Sequence, residues 1–450
     1  MQSDSLLVVA GFLITLHGAI MLLVYLVHEK GTLFDPISVS WAGYIVFIGI
    51  GPLATGILVP QRGTNEVAGY AVALYVLAGI MYTVGLYAGS GRRFSRLLPV
   101  PAPFLSTAQV WFIWIFCAVL FGLCWISLAV LSEGILKIFG GLIDSSVGTL
   151  ALISILVLIG YKGHAGIKLL MLATWIAVFL FYLNFYWSRR PVLGLFLTAV
   201  VLFYYLKVSW WRPVMRKLFM AAIIAGGVSV VLYLGATRGA RIREYYTGPS
   251  VAVFSKANWE ELLGGITINT LVYEYTVQQF PEQEQYLHGR GIVATFVFFI
   301  PRAFWPGKPL PTGGVVSRMW FNVPEHRVSV VPTLPGELYA NFGPLGILFG
   351  MFLAGKIVRT ANTYMLSHPD NLVAHMIWFV VIPDFASQWR GDFCSMSVQG
   401  FLRVAVFFVL AWLAGKLASS RQEETYLAQG PPEADYPEDE SNLYHEQVQG

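Results

Sequence analysis

Leu6–Val27 reads LLVVAGFLITLHGAIMLLVYLV, an apolar run without Asp, Glu, Lys or Arg and with His17 at its centre. As a helix it rises about 33 Å, enough to cross a hydrocarbon core of roughly 30 Å. Asp4 precedes it and no basic residue does, so it lacks the basic head of a cleaved signal and reads as a retained helix. Similar runs recur at about 41–59, 66–88, 109–131, 142–160, 165–187, 190–206 and 217–235, then at about 337–358, 371–389 and 399–418. The chain is 56% hydrophobic and only 12% charged, where a soluble domain carries roughly twice that charged fraction. A polytopic membrane protein follows, and a soluble or nucleic-acid-binding class is excluded.

The expected organisation is all-α: transmembrane helices 1–8 in residues 1–235, a long extracytoplasmic segment 236–336, helices 9–11 in 337–420, and a tail 421–450. Residues 422–450 hold eight acidic groups and no Lys or Arg, the composition of a disordered tail. Cys117, Cys124 and Cys394 show neither a disulfide framework nor a zinc spacing and read as core cysteines. With the N-terminus outside, the cytoplasmic loops would carry fourteen basic residues, among them Arg92, Arg93, Arg96, Lys356 and Arg359, against five in the short outer loops. That asymmetry favours N-out and C-in, and so places 236–336 outside.

Two features of that segment read as helix. Asn258-x-x-Glu261 resembles a capping box, followed by near-helical apolar spacing from Trp259 to Phe280. An amphipathic helix on the outer membrane surface or on the bundle is expected, with Gly264-Gly265 as a candidate kink and Pro281 as its end. Residues 291–304 are apolar but make only about 21 Å of helix, a half-helix or re-entrant piece.

Ionisable groups are scarce inside the spans and gather at the outer face, unlike the midplane sites of ion-coupled transporters. The stretch Phe299–Asn341, beginning FIPRAFWPGKPLPTGG, sets Arg302, Lys308, Arg318 and Arg327 among prolines, glycines and aromatics, with His288, Arg290 and His326 nearby. Arginine suits bidentate phosphate recognition and lysine supplies a compact charge. The competing reading of each cation is a partner for lipid headgroups. Ser188-Arg189-Arg190 is a short outer hairpin, Thr237-Arg238-Gly239 a weaker candidate of the same kind, and Arg390-Gly391-Asp392 an outer loop between the last two spans. Glu337 opens a helix after Pro335-Gly336, where an acid serves as dipole partner or as general base.

The pattern Phe299-Ile300-Pro301-Arg302, Trp305-Pro306-Gly307-Lys308-Pro309, Thr333, Gly336-Glu337-Leu338-Tyr339, Asn341-Phe342-Gly343 and Arg390-Gly391-Asp392 resembles the bacterial oligosaccharide repeat-unit polymerases of the Wzy type. That family includes O-antigen, enterobacterial common antigen and exopolysaccharide polymerases. The resemblance covers mainly residues 299–343 and 388–403. It implies a GT-C-like bundle of about eleven spans in the bacterial inner membrane. It also implies a glycosyltransferase with neither metal nor cofactor, which moves a growing glycan from undecaprenyl diphosphate to the non-reducing end of a lipid-linked repeat unit. A flippase and a chain-length regulator are the implied partners. Carried onto this sequence, Arg302, Arg390, Asp392, Glu337 and His288 would be catalytic, and Arg189, Arg190, Arg238, Arg302, Lys308 and Arg318 would bind the diphosphate. A glycan ligase using the same donor, or a flippase, are the alternative readings.

Overall fold

The computed structural model describes residues 2–29, 31–58, 66–89, 91–96, 106–130, 147–155, 157–158, 165–185, 196, 199–200, 203–204, 211–216, 218–219, 221–223, 226, 256–297, 300, 304–321, 330–368, 371, 387–391, 404–413 and 416. These residues are helical or in turns, and no strand occurs among them. Among the described residues, five helices are long and apolar enough to cross a membrane: Ser5–His28, Pro36–Leu58, Val67–Tyr87, Ala165–Tyr182 and Leu334–Ser367. The expected spans at 190–206, 217–235 and 371–389 fall largely outside the described residues, as does the tail.

Helix α1 (Gln2–His28) returns into α2 (Pro36–Tyr44). Pro36 lies in the first turn of α2, where a missing N–H costs nothing, and it holds Asp35 extended at φ −69°, ψ 151°. A π-helical turn, Ile45–Ile50, joins α2 to α3 (Gly51–Leu58). Glycines let this hairpin close: a Cβ on Gly49 would stand 2.4 Å from Thr15 Oγ1, and one on Gly11 2.4 Å from the Leu53 nitrogen. Small residues at the contact are how helices in lipid gain packing without a hydrophobic drive.

Next come α4 (Glu66–Tyr87), α5 (Gly91–Ser95), α6 (Thr107–Val130) and α7 (Ala165–Phe185). They are followed by α8 (Lys256–Gln279), α9 (Arg290–Phe296), α10 (Thr312–Phe321), α11 (Leu334–Ser367) and α12 (Val404–Leu413). The main seam lies between α4 and α11. A Cβ on Gly85 would meet the Phe352 carbonyl at 2.1 Å, and one on Gly355 the Tyr82 carbonyl at 2.3 Å.

Two helices depart from the sequence reading. Helix α8 begins at Lys256, so Asn258 lies inside it and is not a cap, and it passes through Gly264-Gly265 unbroken. It packs on the bundle: Thr270 faces Gly51, and Tyr273 stacks on Tyr75 at 3.8 Å while donating to the Ala71 carbonyl at 3.2 Å. The half-helix is shorter than expected. Helix α9 stops at Phe296, where Val297 leaves the helix at φ −104°, ψ 6°, and Ile300 closes a turn onto the Val297 carbonyl.

The bundle has two distinct ends. At one, Arg359 pairs with Glu29 at 2.5 Å, Lys356 donates to the Ala88 carbonyl, and Arg93 and Arg96 are exposed beside α5. At the other, Tyr70 of α4 meets Tyr339 of α11 at 6.3 Å, and α9 and α10 fold over the α11 N-terminus.

Candidate functional site

The second end holds a sealed polar hub built by the start of α11. Thr333 caps that helix, its Oγ1 accepting from the Gly336 nitrogen at 3.4 Å. One turn in, Glu337 has no exposed surface. Thr312, at the start of α10 and equally buried, donates its hydroxyl to Glu337 Oε1 at 3.1 Å. Asn341, on the next turn of α11, donates through Nδ2 to Thr312 Oγ1 at 3.1 Å and to the Glu337 carbonyl at 2.8 Å. Its Oδ1 accepts from the Gly291 nitrogen of α9 at 3.2 Å. Three helices are therefore tied through the Asn341 amide, with the Glu337 carboxyl group adding a second bond between α10 and α11. Glycine is required at 291, where a Cβ would fall 2.0 Å from Thr312 Oγ1.

A kink explains why the 286–291 segment docks here. Gly343 takes φ 65°, ψ −154°, and Pro344 follows it. Pro344 has no N–H for the Ala340 carbonyl, and the kink withdraws the helical partner of Asn341. The Leu287 and His288 nitrogens replace both, at 2.9 Å each. His288 accepts a left-handed φ of 48° to do so, and Gly289 continues at φ 83°.

Around this hub stands a basic rim. His288, Arg290 and Arg318 are exposed and Lys308 is half-buried. Lys308 donates Nζ to the Ile300 carbonyl at 3.0 Å, which pins the loop between α9 and α10. Arg302, Arg189, Arg190, Arg238, Asp392, Arg327 and His326 lie outside the described residues. Arg390 lies in the turn Ser387–Gly391, its nitrogen donating to the Ser387 carbonyl at 3.0 Å. Its neighbours Gln388 and Trp389 donate to Ser40 Oγ at 3.0 and 3.1 Å, and the Trp389 ring meets Tyr82 at 4.8 Å. Tyr82 is twelve residues beyond Tyr70 on α4, about 18 Å of helix away from the Glu337 end. The turn docks there because Trp389 completes an aromatic cluster with Tyr44 and Tyr82 that a water-facing loop could not offer.

The first end has its own buried carboxyl group, which sequence reasoning missed. Asp35 accepts from the Thr32 nitrogen and hydroxyl at 2.7 Å each and from Tyr25 at 2.8 Å, and Asn362 Nδ2 donates to the Tyr25 oxygen at 2.9 Å. These bonds join the α1–α2 turn to α11. The sequence signal was Asp35 beside Pro36, a polar residue at the mouth of a span.

A bundle of long apolar helices, closed at one end by a sealed carboxyl hub and a basic rim, defines a multi-pass membrane protein with a polar site at the end of its helices. The chain belongs to the family described as a domain of unknown function, DUF8712, whose model matches residues 108–367, more than half of its length. No curated protein and no solved structure matches it.

Proposed function

We propose that this protein is a polysaccharide polymerase of the bacterial inner membrane, transferring a growing glycan from undecaprenyl diphosphate to the non-reducing end of a lipid-linked repeat unit. In this reading the bundle has about eleven spans in a GT-C-like arrangement, with its N-terminus outside, its C-terminus inside and the Glu337 end facing outward. The observation that carries it is the basic 288–318 segment folded over a polar hub at one end of a membrane bundle. Such a rim fits an anionic diphosphate whose lipid tail stays in the bilayer.

The acceptor hydroxyl oxygen attacks the anomeric carbon of the donor, the bond from that carbon to the diphosphate oxygen breaks, and undecaprenyl diphosphate leaves with the extra negative charge. Arg302 and Lys308 stabilise that charge, with Arg318, Arg189, Arg190 and Arg238 as further diphosphate contacts; a donor already activated needs chiefly positioning and charge stabilisation. The hydroxyl proton passes to His288, which is exposed beside the hub. Glu337, sealed and hydrogen-bonded, acts as a positioning residue. Arg390 is a further contact for the substrate in this reading, and Asp392 orients it.

Purified protein given lipid-linked repeat units lengthens the glycan without other membrane proteins, and Arg302→Ala, inserted normally, slows lengthening about 100-fold or more. Full-length polymer from Arg302→Ala would remove the diphosphate role. Transfer to a different acceptor, or movement of the lipid across the membrane without lengthening, would replace the polymerase reading with the ligase or flippase one.

A further inference from the structure

The outward face of α9 and the tip of the loop after it are apolar where a water-facing lid would be polar. Gly291 and Ala294 of α9 point into the hub and are buried. On the other side Val293 is exposed and Phe296 is 67% exposed. In the following loop Phe304 is 84% exposed, with Trp305 partly exposed beside it. This tip is held in place: the Lys308 nitrogen donates to the Trp305 carbonyl at 3.1 Å, and Lys308 Nζ ties back to Ile300. The two aromatics are therefore presented outward at a turn tied to Ile300. A contiguous patch of this kind marks a surface with a partner.

The neighbouring helix says which partner. Leu345, Phe349 and Leu353 are exposed along one side of α11 beyond its kink, at the spacing of a single helix face, and Phe342 is exposed just before the kink. The opposite side, with Ile347, Met351 and Val358, is buried in the bundle. In a membrane-crossing helix that exposed stripe is the face in contact with acyl chains. Helix α9 starts at its upper end, since a Cβ on Gly289 would stand 3.1 Å from the Phe342 ring. The patch of α9 thus continues a lipid-facing surface. Arg290 is exposed at the first position of α9, and a cation there matches the phosphates of lipid headgroups. Tryptophan at the edge of the apolar zone is the usual interfacial anchor.

We propose that Val293, Phe296, Phe304 and Trp305 form a wedge inserted into the lipid leaflet at the Glu337 end, with acyl chains as its occupant. The wedge keeps the hub's rim at the bilayer surface. It stands on the membrane character of the bundle and not on the catalytic reading, so failure of glycan lengthening leaves it intact.

Spin labels in proteoliposomes test it, on the full chain with Cys117, Cys124 and Cys394 replaced by alanine. Labels are introduced singly as Phe296→Cys, Phe304→Cys, Phe349→Cys and Glu284→Cys, and collisions with oxygen and with a neutral nickel chelate are measured. Oxygen collisions dominate at 296 and 304, as at the bilayer reference 349, while nickel broadening is lost there and retained at the exposed turn position 284. Nickel broadening at 296 and 304 equal to that at 284 overturns the wedge and makes the patch a water-facing lid or a site for another protein. Positions 296 and 304 are already exposed, so the labels disturb no packing.

Discussion

Glu337 is fully buried with its carboxyl group against a hydroxyl donor from another helix. Thr312 supplies the hydroxyl, Asn341 fixes Thr312, and Gly291 leaves just enough room for both. Thr312→Val keeps the shape and removes the donor, so a buried acceptor loses a partner at a cost of about 1–3 kcal/mol. Gly291→Ala forces a methyl into the hydroxyl and costs about 1–3 kcal/mol by overpacking. Gly122→Ala on α6, where a Cβ meets nothing within 4 Å, is the matched control and is neutral or mildly stabilising. Thermal unfolding in one detergent checks all three; equal midpoints for Gly291→Ala and Gly122→Ala would show the hub to be loose. At this scale the sequence was half legible. Glu337 and Asn341 stood out beside the Pro-Gly turn, and His288 beside the cations. Thr312 had no signature, because a threonine among prolines and glycines reads as turn until its partner from another helix is known.

The element that organises the site is α11, and its kink decides what can dock on it. Gly343 sits in a backbone region open almost only to glycine, and a Cβ there would also meet the Tyr286 ring at 2.9 Å. Gly343→Ala should cost about 1–3 kcal/mol in backbone strain. Because the kink frees the Ala340 and Asn341 carbonyls for Leu287 and His288, the same variant exposes the 286–291 segment. Trypsin cutting after Arg290 in detergent then speeds up relative to wild type, whereas unchanged cutting would mean the segment is held by other contacts. The five apolar spans among the described residues were legible, since hydropathy over twenty residues depends on no partner. Val67–Tyr87 and Ala165–Tyr182 lie close to the boundaries read from apolar runs. Helix α8 was legible too, from the apolar spacing between Trp259 and Phe280 and the stop at Pro281, but its start at Lys256 and its unbroken course through Gly264-Gly265 were not. Its polar Thr267, Asn269, Thr270 and Thr276 are buried against neighbours.

Across the whole molecule, α4 and α11 run parallel from the Tyr70–Tyr339 contact to the Lys356–Ala88 bond. Arg93, Arg96, Lys356 and Arg359 gather at the latter end, and the hub with its rim lies at the opposite one. The cation count placed these same four residues in cytoplasmic loops without knowing that they meet in space. If the first end is cytoplasmic, a membrane-impermeant maleimide applied to intact cells labels Glu284→Cys, in the exposed turn after α8, and labels Arg96→Cys only after permeabilisation. Gly313, although on the same segment as the rim, is buried and would not serve as a reporter. The reverse labelling pattern would turn the hub toward the cytoplasm. The two-ended bundle and its internal bonds would stand, but a rim facing inward would meet the donor before it has crossed the membrane, and extracytoplasmic polymerisation would have to be abandoned.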